Sequence, residues 1–259
     1  MGLRVVVLGS GSSGNCTLVE GRRGRLLIDC GLSARETARR LELVGCGPRS
    51  IDAVLVSHEH ADHVGGAAQL SRRFGMPIYT TVATALAAGL SQDVTAALVL
   101  TEPGNAFSVG DLDVRPFTVP HDAVDNVGFV VECEGTRLGY ATDLGHATRL
   151  VMERLRECDV LVAEANHDPE MLRNGPYPWT VKQRILGSHG HLSNQEMSAL
   201  VAGAATPRTR HLFLAHLSAT NNTPALAVSA CHRGLQTAGR AGVRVHVTHQ
   251  KQVSEVVEA

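Results

Sequence analysis

Val56-Ser-His-Glu-His-Ala-Asp-His-Val-Gly-Gly66, VSHEHADHVGG, packs three histidines and two acids into the six positions 58–63. It follows Ala53-Val-Leu-Val56, a run that reads as a buried strand. His58 and His60 are spaced i, i+2, which in extended chain turns both side chains to the same face. Glu59 then points the other way, to a supporting contact or to solvent. Asp62 and His63 fall where the chain turns into a helix, and Gly65-Gly66 let that helix pack closely against a neighbour. The stretch offers two ligands to one ion and two more to a second. Imidazole mixed with carboxylate suits Zn²⁺, with Mn²⁺ or Fe²⁺ also compatible.

Two ions need further ligands, and later strands supply candidates. FTVPHDA ends the strand 112–119 at His121. GYATDLG ends the strand 136–142 at Asp143. HLFLAHLS ends the strand 211–215 at His216. Each is a polar residue just past an apolar β run, where functional groups of layered α/β folds gather. Taken singly, each is an ordinary loop residue. Their succession after HEHADH makes a set.

The surrounding pattern is mixed α/β. Short β-branched runs (RVVVL, CTLVE, RLLID, PIYT, GFVVEC) are bounded by Gly, Pro or Asp. Ser33-x-x-Glu36 reads as a capping box. Helices are expected over 62–74, 81–90, 147–156, 178–187, 194–203 and 224–239, the last with Thr223 as N-cap and Pro224 at its first position. Strand-rich stretches followed by helices occur twice. That suggests an αββα sandwich of two mixed sheets in one domain, residues 1–259, although periodicity alone leaves a doubly wound sheet open. A net charge of −1 and 3% aromatic residues advertise neither a global basic field nor a base-stacking surface. The six scattered cysteines lack CxxC spacing, which fits reduced thiols in a cytoplasmic protein. The five-residue apolar run near the N-terminus is too short for a signal peptide or a membrane span. Gly9-Ser-Gly-Ser-Ser-Gly-Asn15 could present N–H groups and hydroxyls of Ser12, Ser13 and Asn15 to a phosphate, or could be a plain turn. It lacks the P-loop Lys and the GxGxxG spacing, so a nucleotide cofactor is not expected.

HEHADH, PHDA, TDLG and AHLS, in this order and with LLIDCG ahead of them, resemble the ordered metal motifs of the metallo-β-lactamase-fold hydrolases. The resemblance spans nearly the whole chain and implies an αββα fold. It implies one metal on His58, His60 and His121, and a second on Asp62, His63 and His216, with Asp143 bridging. It also implies that Asp29 braces the histidine loop from behind. The commonest true β-lactamases carry Cys at the bridging position, so Asp143 speaks against antibiotic hydrolysis. GSGSSGNCT, EANHD, GPYPWTVKQRILGSHGHLSN and HLSATNN are similar to the single-domain WalJ/YycJ-type branch, which is associated with DNA exonuclease activity.

The implied chemistry is a dinuclear phosphodiesterase acting on DNA through a metal-bridged hydroxide, with Asp62 accepting the remaining proton of the nucleophile or orienting it. GHLSNQEM and AEANHD resemble motifs of transfer-RNA 3′-processing relatives, which suggests His191 as general acid oriented by Glu164. Ser193-x-x-Glu196 is equally a capping box, so His191 also reads as a helix entry. Lys182 and Arg184 are expected either to contact phosphates or to lie on a solvated helix face, and His167 to sit near the pocket. A small-molecule hydrolase acting on a thioester, lactone or cyclic phosphodiester uses the same scaffold and is the competing expectation. A metal-bearing interaction protein with an idle site is the third. Oligomeric state has no sequence signal.

Overall fold

The computed structural model describes residues 2–259. In chain order the first strands are β1 (Arg4–Gly9), β2 (Cys16–Glu20), β3 (Arg25–Ile28), β4 (Ala53–Leu55), β5 (Ile78–Thr81) and β6 (Leu98–Thr101). Then come β7 (Phe107–Val109), β8 (Leu112–Thr118), β9 (Val127–Cys133), β10 (Thr136–Ala141), β11 (Val160–Glu164), β12 (His211–Ala215), β13 (Arg244–Val247) and β14 (Val257–Glu258). Among the described residues they form two seven-stranded sheets, ordered β14-β1-β2-β3-β4-β5-β6 and β13-β12-β11-β10-β9-β8-β7. Both sheets are mixed. β1–β3 are antiparallel and β3–β6 parallel. In the second sheet β7–β10 are antiparallel and β10–β13 parallel.

Alternation along each strand sorts its side chains into layers. Val5 and Val7 of β1 face inward with Val19, Leu26 and Ile28, against Val114, Phe129, Val131, Leu138, Val162 and Phe213 of the other sheet. Val6 and Leu8 face outward, with Leu18, Leu27 and Val54, onto Leu41 and Leu70 of the covering helices. Ala141, Leu161, Leu212 and Leu214 likewise meet Leu155, Leu200, Val201 and Leu235 on the far side. Strands buried on both faces read as unbroken apolar runs, which is why RVVVL and RLLI lack polar alternation.

The helices are α1 (Ala34–Leu43), α2 (Ala61–Val64), α3 (Ala67–Phe74), α4 (Val82–Ala87), α5 (Arg149–Leu155), α6 (Pro169–Asn174), α7 (Trp179–Leu186), α8 (Asn194–Ala204) and α9 (Pro224–Thr237). Ser193 and Glu196 close a full capping box on α8, and Thr223 caps α9. At α1 only half the box forms: Ser33 accepts from the Glu36 N–H, but the Glu36 carboxylate turns to Arg39 and Arg40. The expected helix 62–74 is two helices. Gly66 N–H leaves the helical ladder to donate to the Cys30 carbonyl at 2.8 Å, and Cys30 N–H donates to the His63 carbonyl at 2.8 Å. That crossing needs bare backbone: a Cβ on Gly66 would stand 2.0 Å from the Leu32 carbonyl oxygen. α6, β6, β7 and β14 lie outside the elements expected from the sequence; all are short, at six residues or fewer.

Candidate metal centre

The parallel strands of both sheets end at one edge, and the polar residues that follow them converge there. β3 delivers Asp29, β4 the loop Ser57–His63, β8 His121, β10 Asp143, β11 Glu164 and β12 His216. Asp29, Asp143 and His216 each take left-handed backbone (φ 60°, 56° and 56°) immediately or almost immediately past their strands. Non-glycine residues adopt that region rarely, and it persists only where surroundings enforce it. Here they do. The Asp143 carbonyl accepts from Asn126 Nδ2 at 2.7 Å. The His216 carbonyl accepts from Asn166 Nδ2 at 2.9 Å, and its N–H donates to Ser10 Oγ at 2.7 Å.

His58, His60 and His121 form a triangle of rings with centroids 4.7, 5.2 and 5.1 Å apart. His121 Nδ1–H donates to the Gly190 carbonyl at 3.0 Å, which leaves the Nε2 lone pair free. His58 Nδ1 lies 3.0 Å from Ser57 Oγ, whose own proton goes to Asp29 Oδ2 at 3.0 Å, so its Nε2 is free too. His58 Nε2 and His121 Nε2 are buried without a hydrogen-bond partner. Burying an unpartnered polar atom is costly. Two such atoms in one cluster fit a set of ligands whose natural partner is a cation.

The second cluster is Asp62, His63 and His216. His216 Nε2 lies 3.3 Å and His63 Nε2 3.6 Å from Asp62 Oδ2. Asp143 stands between the clusters, 3.1 Å from His63 Nε2, 3.3 Å from His216 Nδ1 and 4.0 Å from His121 Nε2. The donor atoms within each of the two histidine triads lie within 4.8 Å of one another, and Asp143 groups likewise with His58 and His63. Nitrogen and carboxylate donors in this number fit divalent transition ions.

The groups behind these side chains fix them. Asp29 accepts from Ser57 N–H at 2.8 Å, from Ser57 Oγ, and from His63 Nδ1 at 2.8 Å. Glu164 is fully buried. Its Oε1 meets His191 Nδ1 at 2.7 Å and His216 Nδ1 at 3.0 Å, while Oε2 accepts the N–H groups of Leu144 and Leu192. Burial would raise its pKa, but His191 above all pulls it down to about 2.

Charge separates the two clusters in the metal-free protein. His58 is driven well below the ordinary histidine range, chiefly by burial and then by His63. His121 is lowered by burial as well. Burial would also lower His216, but Asp143, with Asp62 and Glu164, outweighs it and carries the group up to about 10. Asp143 and Asp29 raise His63 against its burial in the same way. At neutral pH His58 and His121 are therefore neutral and ready to ligate, while His63 and His216 must shed protons. Groups with raised pKa release protons when an ion displaces them, so affinity there falls as pH falls. Titrating apo-protein with Zn²⁺ in a dilute indicator buffer near pH 7 is expected to release protons mainly with the second equivalent. Equal release by both equivalents would refute this ordering.

A pocket of about 380 Å³ opens over the clusters, lined among others by Ser12, Asp62, Asp143, Arg184, His191 and His216. Arg184, in α7, pairs there with Asp122. Several expected substrate contacts lie elsewhere. Lys182 is buried and its Nζ donates to the Arg173 carbonyl at 2.7 Å, so it braces α7 and is not part of the pocket lining. Asn15 is buried and holds Gly11, Asp62 and His63. Ser13 is exposed and its N–H is taken by Gln250. His167 is buried, both ring nitrogens unpartnered, outside the pocket lining. Sequence reading missed the roles of Asn126, Asn166 and Ser10, which hold the backbone of Asp143 and His216; Asn166 and Ser10 stand inside EANHD and GSGSSGNCT, while Asn126 lies in none of the quoted motifs. It also missed Asp122 as a pocket residue, although PHDA contains it.

An αββα sandwich with histidines and aspartates gathered where its strands end is the architecture of the metallo-β-lactamase-fold hydrolases. Residues 24–217 match the β-lactamase superfamily domain, and the chain belongs to that superfamily. It is 34% identical over 241 residues to the exodeoxyribonuclease YycJ of Bacillus anthracis, covering 92% of this chain and 91% of that one. It is 35% identical to the exodeoxyribonuclease WalJ of Streptococcus pneumoniae, covering 88% and 86%. Among solved structures, the metallo-β-lactamase-fold protein YhfI of Bacillus subtilis superposes with a TM-score of 0.76 over 99% of both chains at 17% identity, a likeness of fold. The protein is a hydrolase. No described helix is long and apolar enough to cross a membrane.

Proposed function

We propose that the chain is a phosphodiesterase dependent on two divalent ions, most simply Zn²⁺ with Mn²⁺ as alternative, and that it acts on DNA as an exonuclease. The observation behind this reading is the shared position of Asp143 between two ligand triads, with the His191–Glu164 pair beside it. Whole-length relatives named as exodeoxyribonucleases support the substrate class. His58, His60 and His121 would hold one ion; Asp62, His63 and His216 the other, with Asp143 shared. Bound there, the pair supplies Lewis-acid stabilisation of phosphoryl charge and an acidified water.

The chain's own groups do the rest. Asp62, on the pocket wall, orients the attacking water. His191 lines the same pocket with Nδ1 held by Glu164, so its Nε2 is the atom that can give a proton to the departing alkoxide. Burial would lower the His191 pKa, but Glu164 and then Asp143 outweigh it and raise it above the ordinary histidine value, the direction an acid catalyst needs. Arg184 exchanges Asp122 for a substrate phosphate.

His191→Ala is expected to lower kcat by roughly 10²–10⁴-fold with metal content unchanged. Undiminished turnover at full metal content would remove the assignment. The reaction itself is tested on 5′-labelled single- and double-stranded DNA with Zn²⁺ and Mn²⁺, beside Asp62→Ala. Products shortened one nucleotide at a time by wild type alone support the reading. Turnover of small esters without DNA cleavage, metals confirmed present, would replace it with a small-molecule hydrolase.

A further inference from the structure

The Gly9–Asn15 loop between β1 and β2 is held from two sides. On one side Asn15 Oδ1 accepts from the Gly11 N–H at 2.8 Å, and Asn15 N–H donates to the Asp62 carbonyl at 2.7 Å. On the other, Gln250, far away in sequence, accepts from Ser13 N–H at 2.8 Å and donates from Nε2 to the Gly14 carbonyl at 2.9 Å. Gln250 is itself anchored: its carbonyl accepts from Arg40 Nη1 at 2.9 Å, and Arg40, buried in α1, also bonds the Leu8 carbonyl and Glu36. Gly11 and Gly14 have φ of +136° and +140°, and a Cβ on Gly11 would lie 2.8 Å from Gln250 Oε1. The turn is thus clamped at residues 10–11 and 13–15, and its apex is left over.

That apex is Ser12. It is exposed, lines the pocket with Asp62, His191 and His216, and has no hydrogen bond among the described residues. A free N–H and a free hydroxyl on one residue, on a rigid turn at the rim of the site proposed to hold two cations, match the non-bridging oxygens of a phosphate. Arg184 lines the same pocket. We propose that Ser12 forms a subsite for a phosphate next to the scissile one, and that Gln250 is the positioning residue that aims it. The proposal rests on the phosphodiesterase reading and specifies its substrate: a chain with at least one flanking phosphate, rather than an isolated diester. Gln250 touches neither ligands nor pocket, so its influence runs through the turn.

The test compares a 20-mer DNA strand with bis(p-nitrophenyl) phosphate, a diester with no flanking phosphate, in wild type, Gln250→Ala and Ser12→Ala. The kcat/KM ratio, oligonucleotide over small diester, is expected to fall about tenfold in Gln250→Ala, the size of a lost charge-assisted hydrogen bond. The fall should appear in KM, with kcat nearly constant. Ser12→Ala, an exposed serine losing only its hydroxyl, is expected to move the ratio the same way and decides the matter if Gln250→Ala does not fold. A ratio unchanged in Ser12→Ala, or an equal loss on both substrates in Gln250→Ala, overturns the subsite while leaving the phosphodiesterase reading intact. Wild type that cleaves neither substrate ends that reading, and the subsite with it.

Discussion

Asp143→Asn protein is expected to fold, to hold little metal, and to hydrolyse at least on the order of 10³-fold more slowly than wild type. Asn keeps the shape of the side chain and tolerates the left-handed backbone that position 143 requires, so the variant isolates the charge. The charge has a large task. Asp143 is buried and is the carboxylate within 4.0 Å of His63, His121 and His216 together. Burial would raise its pKa, but His216 and His63 hold it well below the usual carboxylate range, so it is an anion at every working pH. Losing a shared anionic ligand forfeits several kcal/mol of charge stabilisation, and each 1.36 kcal/mol is about tenfold in rate. Metal analysis beside steady-state kinetics checks it. A variant with full metal content and turnover within tenfold of wild type would show that Asp143 is not a shared ligand.

Gly31→Ala should do comparable damage from a residue that contributes no ligand. A Cβ at position 31 would stand 1.7 Å from the Asp62 carbonyl oxygen and 2.8 Å from His63 N. Both contacts are with backbone, which cannot rotate aside as a flexible side-chain end can. The same loop is tied by Gly31 N–H to the Asn15 carbonyl and by Cys30 N–H to the His63 carbonyl, so relief in one place strains another. Overpacking a tight site costs typically 1–3 kcal/mol and occasionally more, and about 3 kcal/mol corresponds to a Tm drop of roughly 10 °C in a chain of this size. The alternative to that drop is a displaced Asp62–His63 segment, seen as lost metal and activity. Wild-type Tm together with wild-type metal content would show that the crossing is looser than its distances imply.

These two residues mark what can and cannot be read before folding. Asp143, like His121 and His216, is legible because each follows an apolar run whose length alone says strand, and because strand ends converge in layered folds. The HxHxDH spacing is legible for a similar local reason: i, i+2 geometry in extended chain is set by the backbone. What Gly31, Asn126, Asn166, Ser10 and Gln250 hold is silent, although Gly31, Asn166 and Ser10 fall inside LLIDCG, EANHD and GSGSSGNCT. Each acts on a backbone segment between 16 and 237 residues away, and no local pattern encodes which loops will abut. Lys182 shows the converse error. A lysine on an amphipathic helix suggests solvent or phosphate, but its long stem lets the ammonium fold back onto the Arg173 carbonyl. The expected unbroken helix 62–74 failed for the same reason as Gly31 was silent: the partner that breaks it, Cys30, belongs to another loop.

The left-handed backbone at Asp29, Asp143 and His216 also limits how this chain can change its chemistry. Exchanging one metal or one reaction for another within a superfamily is a matter of swapping side chains at such positions. Here each swap is filtered twice, once for donor chemistry and once for tolerance of positive φ. Asp, Asn, His and Gly pass the second filter most readily, and β-branched residues fail it. The accessible neighbours of this site in sequence space are therefore mostly other oxygen and imidazole donors.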